Sequence, residues 1–97
     1  MPTYIILASY TQQGIESIKD SPARLDAVKQ AAQRMGGAIK AFYLTIGRHD
    51  MVIIAEAPNE ETLAKLLLAT AAQGSVRTET LRAFTEDEYR KLIGELP

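Results

Sequence analysis

The sequence predicts a single α+β domain in which two β-α-β units are joined by a tight hairpin. Apolar stretches of strand composition alternate with segments of helical periodicity, and proline or glycine separates them. The chain has 97 residues, the length of one domain. With 46% hydrophobic and 24% charged residues, its composition is that of a globular protein and not of a disordered one.

The chain begins with a strand and a long helical segment. Residues 3–10 (TYIILASY) are rich in β-branched and aromatic side chains, which predicts the first strand. Apolar residues then recur at steps of three, four or seven from Gln12 to Met35, a pattern typical of a helix. Ser21 and Pro22 interrupt this segment, so we expect either a kink or two successive helices, with Ser21 as a new N-cap.

Two strands and a hairpin follow the helical segment. Gly36-Gly37 ends the helix, because left-handed helix caps favour glycine. Ala38 to Ile46 (AIKAFYLTI) is the second predicted strand, and Met51 to Ala57 (MVIIAEA) is the third. The polar stretch from Gly47 to Asp50 between them predicts a hairpin loop.

The last third contains a helix, a strand and a short terminal helix. Pro58 stops the third strand, and Asn59 is a suitable N-cap with acidic residues after it. The buried stripe of this helix comprises Leu63, Leu66, Leu67, Thr70 and Ala71. Gly74 ends the helix, residues 75–84 alternate as a fourth strand, and a threonine caps a short helix over residues 86–94.

This order of elements defines the predicted fold. The sequence β-α-β, hairpin, β-α-β is the split βαβ pattern of a ferredoxin-like βαββαβ sandwich. Right-handed crossovers place the two main helices on one face of a four-stranded antiparallel sheet. The short C-terminal helix is an addition to this plan.

Charge and composition exclude several classes of function. Eleven basic and twelve acidic residues give a net charge of −1 without a basic run, which argues against nucleic acid as a partner. The absence of cysteine excludes disulfides, thiolate metal sites and thiol nucleophiles. No apolar stretch approaches the ~20 residues that span a bilayer, and the N-terminus lacks the features of a signal peptide, so we expect a cytoplasmic protein without membrane contact.

The predicted sheet is apolar on both faces. In the first strand, Ile5 and Leu7 alternate with Tyr4, Ile6 and Ala8. In the second, Ile39, Ala41 and Tyr43 alternate with Phe42, Leu44 and Ile46. In the third, Met51, Ile53 and Ala55 alternate with Val52 and Ile54. Monomers seldom expose so large an apolar patch. A sheet-on-sheet homodimer or higher homo-oligomer is the preferred explanation, and an open ligand-binding face or a face covered by the C-terminal helix are the alternatives.

The hairpin and third strand carry a family resemblance. Gly47 to Asp50 (GRHD) followed by Met51 to Pro58 (MVIIAEAP) resembles the signature of the GYD-domain family, so residues 1–97 resemble a single GYD-like domain. Other matching positions are Tyr10-Thr11 with Gly14, Ser21-Pro22 with Arg24, Gly36-Gly37, Tyr43, and Val76 to Thr80. The family is small, bacterial and archaeal, and largely without assigned function. The resemblance implies a dimeric α/β-barrel type of assembly.

One departure from the family pattern affects the candidate site. His49 stands where the family usually carries tyrosine, so a role of that phenol does not transfer to this chain. An imidazole titrates near neutral pH, whereas a phenol titrates near pH ~10. Arg48, His49 and Asp50 are candidates for a polar group beside a pocket, with His49 and Asp50 as catalytic candidates. The preferred structural explanation is that Asp50 bonds loop amides while His49 is exposed.

Three further side chains are candidates with structural alternatives. Glu56 lies late in an apolar strand and is either a general base or, preferably, the partner of a cation such as Arg48 or Arg77. Tyr10 and Tyr43 lie on strands predicted to be central, where they either line a ligand pocket or pack in the core. With one histidine and no cysteine we expect no metal site and no cofactor.

These features support two hypotheses of function and a simpler alternative. The first is a homo-oligomeric domain that binds a small apolar or amphipathic ligand between sheet and helices. The second is a cofactor-independent enzyme, of monooxygenase or isomerase type, that uses His49, Asp50, Tyr43 and Glu56. The simpler alternative is a structural oligomer without ligand. A cavity on which His49, Tyr43 or Glu56 converge would support binding or catalysis.

Overall fold

The computed structural model describes all 97 residues. The chain forms a four-stranded antiparallel sheet with the strand order β2-β3-β1-β4. The strands are β1 (Thr3–Tyr10), β2 (Ala38–Leu44), β3 (Met51–Glu56) and β4 (Val76–Ala83). The helices are α1 (Gln12–Glu16), α2 (Ser21–Arg34), α3 (Glu60–Ala72) and α4 (Glu86–Gly94). The chain therefore has the ferredoxin-like α+β fold that its element order predicts.

The long helical segment is divided into two helices, as expected from Ser21 and Pro22. A single 3₁₀ turn (Ile18–Asp20) separates α1 from α2. The expected cap is wrong in one detail, because Asp20 occupies the N-cap position without a side-chain cap bond and Ser21 is already helical. Pro22 lies in the first turn, where its missing amide hydrogen costs no helical bond.

A β-bulge in β2 changes which side chains face the helices. The pairing with β3 shifts between Ile39, which opposes Ala55, and Ala41, which opposes Ile54. Ile39 therefore shares the helix-covered face with Phe42 and Leu44, and the strict alternation predicted for this strand is wrong. The strand also ends at Leu44, two residues earlier than predicted, which leaves Ile46 fully exposed in the loop.

The hydrophobic core is concentrated at one end of the sheet. Its main cluster consists of Tyr4, Ile6, Ala55, Ala57 and Leu63. Tyr4 donates a hydrogen bond of 3.0 Å to the Glu60 carboxylate at the start of α3, and burial together with this carboxylate raises the pKa of the Tyr4 phenol. The start of α3 is thereby tied to the start of β1.

The molecule is flatter and more extended than a compact domain of its size. Its radius of gyration is 14.6 Å, compared with about 12.5 Å for a globular chain of this length. Its accessible surface is 6648 Å², which is roughly 1,100 Å² more than the surface expected for a compact monomer of this mass. Eleven of the 97 residues are buried, so much apolar surface remains uncovered within one copy.

The open face of the sheet, opposite α2 and α3, accounts for part of this surface. Its apolar residues are Ile5, Leu7, Ala41, Tyr43, Val52, Ile54 and Leu81. The C-terminal helix α4 has no buried residue, and its apolar side chains remain about half exposed. It therefore does not cover the open face of its own chain, and that explanation of the apolar face is wrong.

Candidate functional site

A cleft of about 560 Å³ lies between the sheet and the helices, beside the main core cluster, with which it shares Ile6. Fifteen of its 23 lining residues are hydrophobic. The sheet contributes Ile6, Ala8, Phe42, Met51 and Ile53, while α2 contributes Leu25 and Val28 and α3 contributes Leu66 and Leu67. This volume and lining are typical of sites that hold small molecules.

A small residue in the floor and the hydrogen bonds of Asp50 maintain the cleft. Ala8, which is buried in the floor, leaves room that a larger strand residue would fill. Asp50 ties the β2–β3 loop to the end of β1, since its carboxylate accepts the Tyr10 amide at 2.9 Å and its own amide donates to the Ala8 carbonyl at 2.9 Å. The preferred structural explanation was that Asp50 bonds amides of its own loop. Its carboxylate instead accepts a backbone amide of β1.

The helix α1 closes the same end of the cleft. The Thr11 hydroxyl accepts the Gly14 amide and donates to the Gly74 carbonyl, and the Thr11 amide donates to the Ser75 carbonyl at 3.1 Å. Gly14 is buried against this segment, where a Cβ atom would collide with the Ser75 carbonyl oxygen. Glycine at this position is therefore required for α1 to dock on the start of β4.

Arg24 is the only basic residue among the side chains that line the cleft. Its guanidinium group donates to the carbonyl and hydroxyl oxygens of Ser17 at 3.0 and 3.2 Å, and to the Gly14 carbonyl at 3.4 Å. It has no carboxylate partner among the ion pairs of the protein. Sequence reasoning assigned Arg24 no role, because its proximity to the cleft depends on the break between α1 and α2.

The candidate residues of the sequence analysis divide between two faces of the sheet. Tyr10 and Asp50 line the cleft. His49 instead lies on the open face, with its Nε2 atom 3.6 Å from the Glu79 carboxylate, beside a shallow depression of about 160 Å³. Tyr43 is exposed on the open face of β2, and this strand is an edge of the sheet and not central as predicted.

The remaining candidates lie outside both pockets. Glu56 is on the open face with its carboxylate 3.9 Å from the Lys40 ammonium group, and Arg48 is exposed in the β2–β3 loop. The pairing of Glu56 with a cation therefore involves Lys40 and neither Arg48 nor Arg77. The four groups considered for cofactor-independent catalysis do not converge, because only Asp50 reaches the cleft. No group of three or more histidine, aspartate or glutamate side chains is placed to hold a metal ion.

The fold and the cleft define a ferredoxin-like α+β domain with an apolar pocket between sheet and helices. The family model described as the GYD domain matches residues 4–93, and the chain belongs to this family. A relative from Thermus thermophilus, described as a glutamine synthetase and cystathionine β-lyase binding protein, is 38% identical over 84 residues, which cover 86% of this chain and 88% of that protein.

Solved structures with the same fold include bacterial regulators. LrpC of B. subtilis matches 88% of this chain with a TM-score of 0.66 and 14% identity. A feast or famine regulatory protein of M. tuberculosis, in complex with L-methionine, matches 90% of it with a TM-score of 0.64 and 19% identity. This chain covers 51% and 54% of those two proteins, about half of their length.

A further T. thermophilus protein, TTHA0845, has the fold over nearly its whole length. It matches 88% of this chain and 95% of its own, with a TM-score of 0.55 and 23% identity. None of the helices described above is long and apolar enough to cross a membrane.

Proposed function

We propose that this chain is a homodimeric binding module that holds a small apolar or amphipathic molecule in the cleft between the sheet and α2 and α3. The cleft carries this proposal, because about 560 Å³ of mostly apolar space lies inside a chain that has few buried residues. Transfer of an apolar molecule from water into this space is favourable by roughly 25 cal/mol for each Å² that it buries.

Arg24 indicates the polar end of an amphipathic ligand. The half-buried Arg24 guanidinium group bonds only neutral oxygens and has no carboxylate within ion-pair distance, so it can accept an anionic partner. An anionic group at the mouth of the cleft would balance this charge, with the apolar part directed toward Val28 and Leu67. The preferred ligand therefore has an apolar body and an acidic head.

The open face supports the homodimer. Its apolar centre is surrounded by the polar residues Thr3, Ser9, Lys40, Glu56, Arg77 and Glu79, the arrangement of centre and rim that protein interfaces share. The excess surface of roughly 1,100 Å² exceeds the ~800 Å² that each partner buries in an interface of standard size. A second copy packed sheet on sheet would cover part of this excess.

The Thermus relative favours a second role, in binding other proteins. It is described by its binding of glutamine synthetase and cystathionine β-lyase, and it is 38% identical to this chain. We propose that this chain likewise binds protein partners. Cofactor-independent catalysis has less support, because His49, Tyr43 and Glu56 lie away from the cleft.

Filling the cleft tests the ligand site. Val28→Trp places a large side chain in the cleft from α2, so we expect the affinity for the neutral fluorescent probe N-phenyl-1-naphthylamine to fall at least tenfold. The chain has no tryptophan of its own, so tryptophan emission also reports on the site. Probe fluorescence in a titration gives the dissociation constants.

The matched control is Ala27→Trp, which adds the same side chain to the exposed side of α2. It should leave the affinity for the probe within twofold of that of the unsubstituted protein. Equal affinity of the Val28→Trp and Ala27→Trp proteins would show that the probe binds elsewhere, and the proposal of a ligand site in the cleft would then be wrong.

A further inference from the structure

The C-terminal helix α4 presents a stripe of apolar side chains that nothing in the chain covers. Tyr89, Leu92 and Ile93 are spaced at i, i+3 and i+4 on the helix, Leu96 follows just beyond its end, and each is between 48% and 65% exposed. None of the residues of this helix is buried. The molecule measures 52 Å along its longest axis and 31 and 17 Å along the other two, so it is elongated.

The sequence nevertheless stabilises α4 as a helix from its N-terminal end. Thr85 and Glu88 form a reciprocal capping box, and backbone hydrogen bonding lowers the pKa of the Glu88 carboxyl group. Glu86 and Arg90 form an ion pair at 2.8 Å one turn apart. An isolated helix of nine residues is only marginally stable in water, so these features indicate a helix that gains its remaining stability by packing.

We propose that α4 is an arm that packs its apolar stripe on a second copy of this chain and so extends the dimer interface formed by the open face. This inference depends on the homodimer of the proposed function. Each copy would give one arm and receive one, which a two-fold symmetric interface requires.

Two observations favour a second copy as the occupant. The strand that leads into α4 is β4, whose Leu81 is half exposed on the open face, so the apolar surface of the sheet continues toward the arm. In addition, the excess exposed surface of the chain is greater than a standard interface needs from one partner, which leaves area for the arm as well as for the sheet.

The arm is tested with the double substitution Leu92→Gln/Ile93→Gln. Glutamine is a good helix former, so the substitution removes the apolar contacts and leaves the helix intact. We expect the dissociation constant of the dimer, measured by sedimentation equilibrium, to rise at least tenfold. The control Lys91→Gln/Glu95→Gln alters the polar side of the same helix with no change in net charge, and it should change the constant less than twofold.

A second measurement places the arm directly. In dimers mixed from isotope-labelled and unlabelled copies, filtered nuclear Overhauser spectra should show contacts between the methyl groups of Leu92 and Ile93 and the other copy. A stable dimer that lacks these contacts, or whose dissociation constant is the same in both double variants, would overturn the arm and leave the sheet interface standing. A monomeric unsubstituted protein would overturn both the arm and the homodimer.

Discussion

Replacement of Ile54 by arginine is expected to convert the proposed homodimer into a monomer. Ile54 lies in the centre of the open face, paired with Ile5 on β1 and Ala41 on β2. A symmetric interface would bring two guanidinium groups into an apolar centre without partners, and a buried unpaired charge costs several kcal/mol. We expect the dissociation constant to rise at least 100-fold, which light scattering detects as a fall in mass toward 10.7 kDa.

The control for this substitution is Leu68→Arg. Leu68 is an exposed leucine on α3, outside the open face, so the added charge stays in water and the mass should not change. If the Ile54→Arg protein has the same mass and dissociation constant as the Leu68→Arg protein, the two copies do not associate through the open face.

Truncation of Leu63 is expected to produce the largest loss of protomer stability. Leu63 is 4% exposed and belongs to the core cluster with Tyr4, Ala55 and Ala57. Leu63→Ala removes buried methyl groups and leaves a cavity, so the free energy of unfolding should fall by about 3 kcal/mol. Urea denaturation at one fixed protein concentration measures this change, since the proposed homodimer would make stability depend on concentration.

Leu68→Ala is the matched control on the same helix, because Leu68 is 70% exposed. We expect it to change the free energy of unfolding by less than about 0.5 kcal/mol. Losses of similar size in the two variants would contradict the placement of α3 on the sheet through its Leu63 face.

The sequence predicted the fold well where local patterns and capping residues agree. The first strand, the cap at Asn59 and the bounds of α4 match the structure, because each depends on residues close together in the chain. The bulge in β2 was missed, since the pairing of Ile39 and Ala41 depends on β3 and not on the pattern of β2 alone.

The candidate site was less predictable than the fold. His49 and Asp50 are neighbours in sequence, yet the end of the hairpin directs them to opposite faces of the sheet, one toward Glu79 and the other toward Tyr10. Arg24 bonds Ser17, seven residues earlier, across the break between α1 and α2, so its position depends on the geometry of that break. Ser21 and Pro22 predict the break, but the spacing of residues does not predict which side chains face the cleft.

A titration followed by nuclear magnetic resonance shows whether the cleft holds a small molecule with an apolar body and an acidic head, as we propose. The probe is 1-anilinonaphthalene-8-sulfonate, which combines apolar rings with an anion. We expect chemical-shift changes at the Val28 and Leu67 methyl groups and at the Arg24 side-chain Nε–H group, while Ile5 and Ile54 on the open face remain unchanged. Shifts at Ile5 and Ile54 without shifts in the cleft, or no saturable shifts at all, would contradict the claim.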